Sequence, residues 1–372
     1  AVFPRLLVTR PLLARFPRLA AHLRHVDLGD FPTPIFHAEK LGAAIGLDRL
    51  YIKRDDVSAA DYGGNKVRKL EFLLGQAVHD GCREVLTFGF AGSNHALATA
   101  LYANKLGMHG VSILLPQPNS HAVQRNLLMG RHCNAELHHY PSKAAATVGT
   151  LYQLARHRVT RGAWPRIVPA GGSSPMGIMG IVNAVLELDD QIRAGLLPAP
   201  QRIYTAVGSM GTAAGLLIGL SLAALDCRVV PVRVIDSNMA NPAAFAKLFA
   251  ETVAFMRKAD PSIPNLAAPP DRFGLRDEFF GERYAQYTEQ GVEAVRLLDE
   301  TEGIRLDGTY TGKALAALLC DARSGALAGQ TVLFWNTYNS RPFWESMPPI
   351  DYHSLPRTLH RYFEGPVQPL DT

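Results

Sequence analysis

Short apolar, β-branched runs alternate along this chain with longer stretches whose apolar residues recur at helical spacing. Residues 49–53 (RLYIK), 84–88 (EVLTF), 110–115 (GVSILL), 202–206, 229–235 and 331–335 are expected strands. Between them, 66–79, 95–105, 211–224 and 243–258 are expected helices. Strands separated by helices favour parallel pairing, with the crossover helices covering both faces of a sheet. The pattern therefore predicts an α/β protein with mostly parallel sheets. No tandem repeat or low-complexity segment interrupts it. The proline-rich stretch 261–270 is a loop and not a domain linker, because the alternation resumes beyond it.

Composition narrows the class. The 372 residues are 47% hydrophobic and 19% charged, as in a globular protein long enough for one large domain or two ordinary ones. The net charge of +5 comes from basic residues interleaved with acids. That argues against nucleic-acid binding and suits a basic site for an anionic cofactor or substrate. Cys82, Cys133, Cys227 and Cys320 form no CxxC pair and no zinc-ligand spacing, so no metal site is expected. They read as thiols of a reducing compartment, and the expected location is the cytoplasm. The longest apolar runs, such as 213–225, are too short to span a bilayer, so no membrane partner is expected. The first 26 residues hold five arginines and no acid, but Pro4, Pro11 and Pro17 interrupt them. This segment is expected to be an arm on the protein surface rather than a transit peptide.

Three loops carry candidate chemistry at the carboxyl ends of expected strands, where open α/β sheets bind ligands, and they are expected to converge on one site. In DYGGNKVRKLEFL, Gly63 and Gly64 make a turn and Lys66 opens a helix. A cation there opposes the helix dipole, which lowers its pKa and favours a nucleophilic free amine. Lys66, Arg68 and Lys69 together suggest an anion nearby; the alternative is a set of surface cations. In FGFAGSNHALATAL, Ser93 and Asn94 are natural N-caps, and the free N–H groups of that helix start suit a carboxylate. His95 could equally be a core residue. In VGSMGTAAGL, small residues between a strand and an apolar helix let backbone N–H groups wrap a phosphate, without the spacing of a dinucleotide or P-loop motif.

With these residues in view, the chain resembles the 1-aminocyclopropane-1-carboxylate (ACC) deaminase and D-cysteine desulfhydrase family. The resemblance runs from about Phe31 to Phe334 through YIKRDD, GGNKVRKLEFL, GSNH, AGGSSPMGIMGIVNAVLEL, GSMGTAAGL and YTGKA. It implies the tryptophan synthase β-like fold of pyridoxal-phosphate (PLP) enzymes, fold type II, with two open, mostly parallel sheets flanked by helices, and a homodimer. The expected domains are a large PLP-binding one (1–66 and 179–372, with an arm at 1–26) and a small one (67–178). The resemblance makes Lys66 the Schiff-base lysine and places Lys69, Asn94, Gly208, Ser209, Met210, Gly211, Thr212 and Thr311 at the cofactor. Ser93, Tyr284 and Tyr310 join Lys66 as catalytic residues. Ser93, Asn94, His95, Thr337 and Arg341 are expected at the substrate.

The implied reaction is α,β-elimination from a small amino acid, giving a 2-oxo acid and ammonia, with the Lys66 amine as base. Thr311 stands where ACC deaminases carry Glu, which argues against ring opening of ACC. Three departures from the family pattern suggest a substrate with a second polar or acidic group: Gly92 for Gln, Arg283 beside Tyr284, and Asn336–Asn339 with Arg341 for HTGG. A racemase or β-replacement enzyme on the same fold stays open, as does a PLP-binding protein without turnover.

Overall fold

The structure, a computed structural model, describes residues 10–371. Among them nine strands run in chain order: β1 (Ile35–His37), β2 (Leu50–Arg54), β3 (Glu84–Phe90), β4 (His109–Leu115), β5 (Glu136–His139), β6 (Arg166–Val168), β7 (Arg202–Val207), β8 (Arg228–Arg233) and β9 (Val332–Asn336). All six expected strands are present, with ends displaced by one or two residues. The sequence pattern passed over β1, β5 and β6, which are too short for an alternation to register.

The chain divides into two compact units, residues 1–72 with 173–341, and residues 73–172 with 342–372. The larger unit holds a five-stranded sheet in the order β1-β2-β9-β7-β8, parallel except for β1. Ile52, Tyr204, Val230, Val232 and Phe334 of this sheet pack against Ala314, Leu315 and Leu318 of the Thr311–Arg323 helix. On the same unit, Lys53, Arg68, Asp55 and Glu187 form a buried ion-pair network. Lys53 Nζ lies 2.5 Å from Glu187, and Arg68 pairs with Asp55 at 2.8 Å and Glu187 at 2.9 Å. Trp335 Nε1 donates to Asp55 at 2.8 Å.

The smaller unit holds a four-stranded, all-parallel sheet in the order β5-β4-β3-β6. Its boundaries differ from the expected ones. Residues 342–372, expected in the large domain, belong to the smaller unit, because Leu355, Leu359 and Tyr362 pack among Val123, Leu127 and Leu137. The arm also differs. Its first nine residues lie outside the described ones, but the remainder is packed rather than draped. Leu12 and Leu19 are fully buried, Arg10 pairs with Glu71 at 3.0 Å, and Arg15 pairs with Asp189 at 2.7 Å.

Candidate active site

In the larger unit, the carboxyl end of β2 leads through Gly63 and Gly64 into the Asn65–His79 helix. Gly64 has φ of +94°, and a Cβ at Gly63 would lie 2.1 Å from the Asp56 carbonyl oxygen, so both positions need glycine. Lys66 is the second residue of the helix and keeps part of its surface. Removal of water around it lowers its ammonium pKa to about 8, so about a tenth of it is free amine at pH 7.

One turn on, Lys69 is buried, and burial together with the charge of Lys66 pushes it well below the usual lysine range. Its Nζ donates to Ser173 Oγ at 3.2 Å, and Ser173 Oγ lies 2.7 Å from Ser209 Oγ. A Cβ at Gly211 would fall 2.2 Å from Ser173 Oγ and 2.9 Å from Lys69 Nζ, so only glycine leaves this cradle open. Met210 precedes it at φ +60°, and the Gly211–Leu222 helix starts without a side-chain cap. The helices that begin at Asn94, His121, Lys143, Pro175, Pro242 and Glu289 are all capped by Ser, Asn or Thr side chains. An uncapped helix start, two serine hydroxyls and a desolvated lysine suit a phosphate. Asn65 Nδ2 donates to Thr212 Oγ1 at 3.0 Å and ties the Lys66 turn to this loop.

Arg68 takes no part in that cradle. The expected group of three cations divides, because Arg68 turns inward to Asp55 and Glu187. Burial alone would raise Glu187, but Arg68 and Lys53 beside it hold it down at about 2.

Tyr310 closes the other side of the loop, its ring 4.0 Å from where a Gly208 Cβ would lie. The hydroxyls of Tyr284 and Tyr310 are 2.5 Å apart. Burial raises Tyr310 to about 12, and burial with the Tyr310 neighbour raises Tyr284 well above the usual phenol range, so both stay protonated at neutral pH. Thr311 is fully buried; its hydroxyl donates to Asp307 Oδ1 at 2.6 Å and accepts the Asp307 N–H at 2.9 Å. Thr311 thus locks the start of its own helix. Asp307, Ser173 and Asn65 went unnoticed in the sequence. An Asp four residues before a helix-opening Thr is a capping signal that could have found the first; nothing local marks the others.

In the smaller unit, Ser93 caps its helix by accepting the Ala96 N–H at 3.2 Å. Asn94 Oδ1 accepts from Asn126 Nδ2 at 2.8 Å, which orients its amide. His95 is the core residue of the two readings. It is buried, with Nε2 3.1 Å from Thr87 Oγ1 and 3.0 Å from the Pro169 carbonyl oxygen.

The three departures thought to widen the substrate range do not make an anion site. Arg341 donates from Nε to the Ala59 carbonyl at 2.9 Å and from Nη2 to the Val57 carbonyl at 3.2 Å, so its fork is spent on backbone. Arg283 is exposed. A Cβ at Gly92 would lie 2.8 Å from Val123 Cγ2 and 3.0 Å from Gln117 Nε2, so no opening exists there. Thr337 contributes its carbonyl, which accepts the Asn65 N–H at 3.2 Å.

Comparison with known proteins matches these residues to one family. The model described as "Pyridoxal-phosphate dependent enzyme" matches residues 26–337. A protein of Pyrococcus horikoshii, provisionally named a 1-aminocyclopropane-1-carboxylate deaminase, is 35% identical over 327 residues, covering 88% of this chain and 93% of its own. A D-cysteine desulfhydrase of Salmonella schwarzengrund is 34% identical over 316 residues, covering 82% of this chain and 89% of its own. The crystal structure of an ACC deaminase homologue superposes with a TM-score of 0.75 at 30% identity, covering 95% of this chain and all of that one. This chain belongs to the family of pyridoxal-phosphate-dependent enzymes of fold type II, and pyridoxal phosphate is its cofactor.

Proposed function

We propose that this enzyme removes the Cα proton and a β-substituent from a small amino acid, releasing a 2-oxo acid and ammonia, with Lys66 as the cofactor-attachment lysine. The observation that carries this reading is the desolvated Lys66 amine, at about 8, at the head of the helix that also brings Lys69 to the Ser173–Ser209–Gly211 cradle. Relatives named for ACC deaminase and D-cysteine desulfhydrase support the reaction class.

Bound there, pyridoxal phosphate supplies the electron sink for charge left on Cα. Lys69, Ser209, Thr212 and the N–H groups that open the Gly211–Leu222 helix would hold its phosphate. The Lys66 amine would take the Cα proton of a bound substrate; a pKa near 8 suits a base that must be neutral in one step and protonated in the next. Tyr284 and Tyr310, both protonated, would serve there as hydrogen-bond donors.

Borohydride reduction followed by peptide mapping tests the attachment, and the label is expected on Lys66. Label on Lys53, Lys69 or Lys313 would overturn it. Small D- and L-amino acids, D-cysteine and D-serine among them, are then assayed separately for 2-oxo acid, ammonia and optical rotation. Rotation lost without ammonia would point to a racemase instead.

A homodimer is part of this proposal. Val148, Leu151, Tyr152 and Val159 of the Lys143–Arg161 helix are 62–83% exposed, and Trp164 and Ile167 follow them. At roughly 100 Å² each, scaled from aromatic side chains of about 150–250 Å², these six approach the roughly 800 Å² that each partner buries in a standard interface. Light scattering checks it, with Leu151→Asp expected to yield monomer. The four cysteines, all unpaired, support a reducing, cytoplasmic setting.

A further inference from the structure

Backbone preceding Lys66 is held by a strap from the far end of the larger unit's chain. Five hydrogen bonds join residues 337–341 to residues 56–65. The Gly63 N–H donates to Asn339 Oδ1 at 2.6 Å, and Arg341 donates to the Ala59 and Val57 carbonyls at 2.9 and 3.2 Å. The Ser340 N–H donates to the Asp56 carbonyl at 3.0 Å, and the Asn65 N–H to the Thr337 carbonyl at 3.2 Å.

Asn339 is the hinge pin of this arrangement. Its Oδ1 also accepts the Arg341 N–H at 3.0 Å, and its Nδ2 donates to the Arg341 carbonyl at 3.1 Å. One side chain therefore fixes both the Gly63 turn and the residue whose guanidinium grips Val57 and Ala59. The fit is close: a Cβ at Gly64 would lie 2.9 Å from the Thr337 carbonyl oxygen. Bonds within the turn, from the Gly64 N–H to the Asp55 carbonyl at 2.7 Å and from Ser58 Oγ to the Gly64 carbonyl at 2.9 Å, close it on itself; the strap adds the bonds that tie it, two residues before Lys66, to residues 337–341.

From this geometry we infer that Asn339 and Arg341 are positioning residues for the attachment lysine: they hold the 56–65 backbone in place, and through it they aim the Lys66 amine. The inference rests on Lys66 being the attachment lysine, and it assigns to Arg341 a structural grip in place of substrate recognition. A catalytic amine displaced by about an ångström loses on the order of a hundredfold in rate.

The test compares wild-type holoenzyme with Asn339→Ala, Asn339→Asp, Arg341→Ala and Arg341→Lys. Arg15→Ala, which breaks the pairs with Asp189 and Asp190 elsewhere in the unit, serves as the control for general destabilisation. The readouts are the visible absorbance of the bound cofactor and its pH midpoint, kcat and KM separately, and hydrogen exchange across residues 56–65 in cofactor-free protein. For Asn339→Ala and Arg341→Ala the midpoint is expected to move by at least half a unit, with kcat down tenfold to a hundredfold and KM within threefold. Exchange protection of residues 56–65 should fall in both.

Asn339→Asp should fall between wild type and Asn339→Ala, since a carboxylate oxygen accepts the same two N–H groups but cannot donate to the Arg341 carbonyl. Arg341→Lys, which keeps charge and stem but reaches one carbonyl at most, should fall between; it stands in for Arg341→Ala if that variant does not fold. Unmoved midpoints with kcat within twofold overturn the inference, as do equal changes in Arg15→Ala. Borohydride label away from Lys66 in the wild type overturns the attachment reading, and this inference with it; label on Lys66 with unmoved midpoints overturns the inference alone.

Discussion

Replacing Glu187 by Gln tests whether the network behind the cofactor helix is held by charge. Glu187 accepts from Lys53 at 2.5 Å and from both terminal nitrogens of Arg68, at 2.9 and 3.0 Å. Glutamine has nearly the same shape, but its amide nitrogen would face a guanidinium donor, and two buried cations would be left with Asp55 alone. Removing one partner of a buried pair costs about 3–5 kcal/mol. The carboxylate gives a second route to the magnitude. It sits at about 2 against an ordinary 4.5, and at about 1.4 kcal/mol per pKa unit that drop corresponds to roughly 3 kcal/mol.

The two figures agree, and for a unit of this size 3–5 kcal/mol translates to a Tm lower by roughly 6–20 °C. A depressed carboxylate contributes stability that is fully present above its unfolded pKa and lost as pH falls through the folded one. The gap between wild type and Glu187→Gln should therefore be constant near neutrality and narrow below pH 4.5, by about 1 kcal/mol at pH 3.5. Calorimetry and urea unfolding at several pH values measure it. A neutral-pH loss under 2 °C, or a gap that does not shrink on acidification, would show that shape rather than charge holds the network.

Three further outcomes are expected. Lys66→Ala should fold with a Tm near wild type and show no turnover, while cofactor uptake by wild-type apoenzyme should quicken as pH rises through about 8, where the amine loses its proton; uptake flat across pH 7–9 would contradict the lowered pKa. Gly211→Ala should weaken cofactor retention at least tenfold, because its Cβ would meet Ser173 Oγ at 2.2 Å; dialysis with fluorescence readout measures this, and wild-type retention would mean the cradle binds elsewhere. Ammonia release from ACC should be at least about a hundredfold slower than from the best acyclic amino acid, since Thr311 is neutral and its proton is committed to Asp307; comparable rates would defeat the reasoning.

Much of this protein was legible in its sequence, and the reason is local. Strand and helix alternation fixes an α/β fold because each element must bury one face, and that pattern repeats within windows of ten or fifteen residues. Lys66 and the loop 208–212 stood out as candidates because glycines beside a lysine or a helix start narrow the local backbone, while the roles expected of them and of Lys69 came from the resemblance. The rest depended on partners far along the chain. Whether Arg68 joins the cradle or the core is decided by Glu187, 119 positions away, and Arg341 by the carbonyls of Val57 and Ala59, more than 280 positions away. An arginine carries five donors and no mark of which acceptor it will meet. His95, too, became a core residue only once Thr87 and the Pro169 carbonyl were brought to it, and the segment from Pro342 onward joined the smaller unit only because its apolar surface accepts Leu355, Leu359 and Tyr362. Sequence sets which chemical groups are present and the local geometry of their backbone; only tertiary packing settles which of them are consumed in holding the structure and which remain to act.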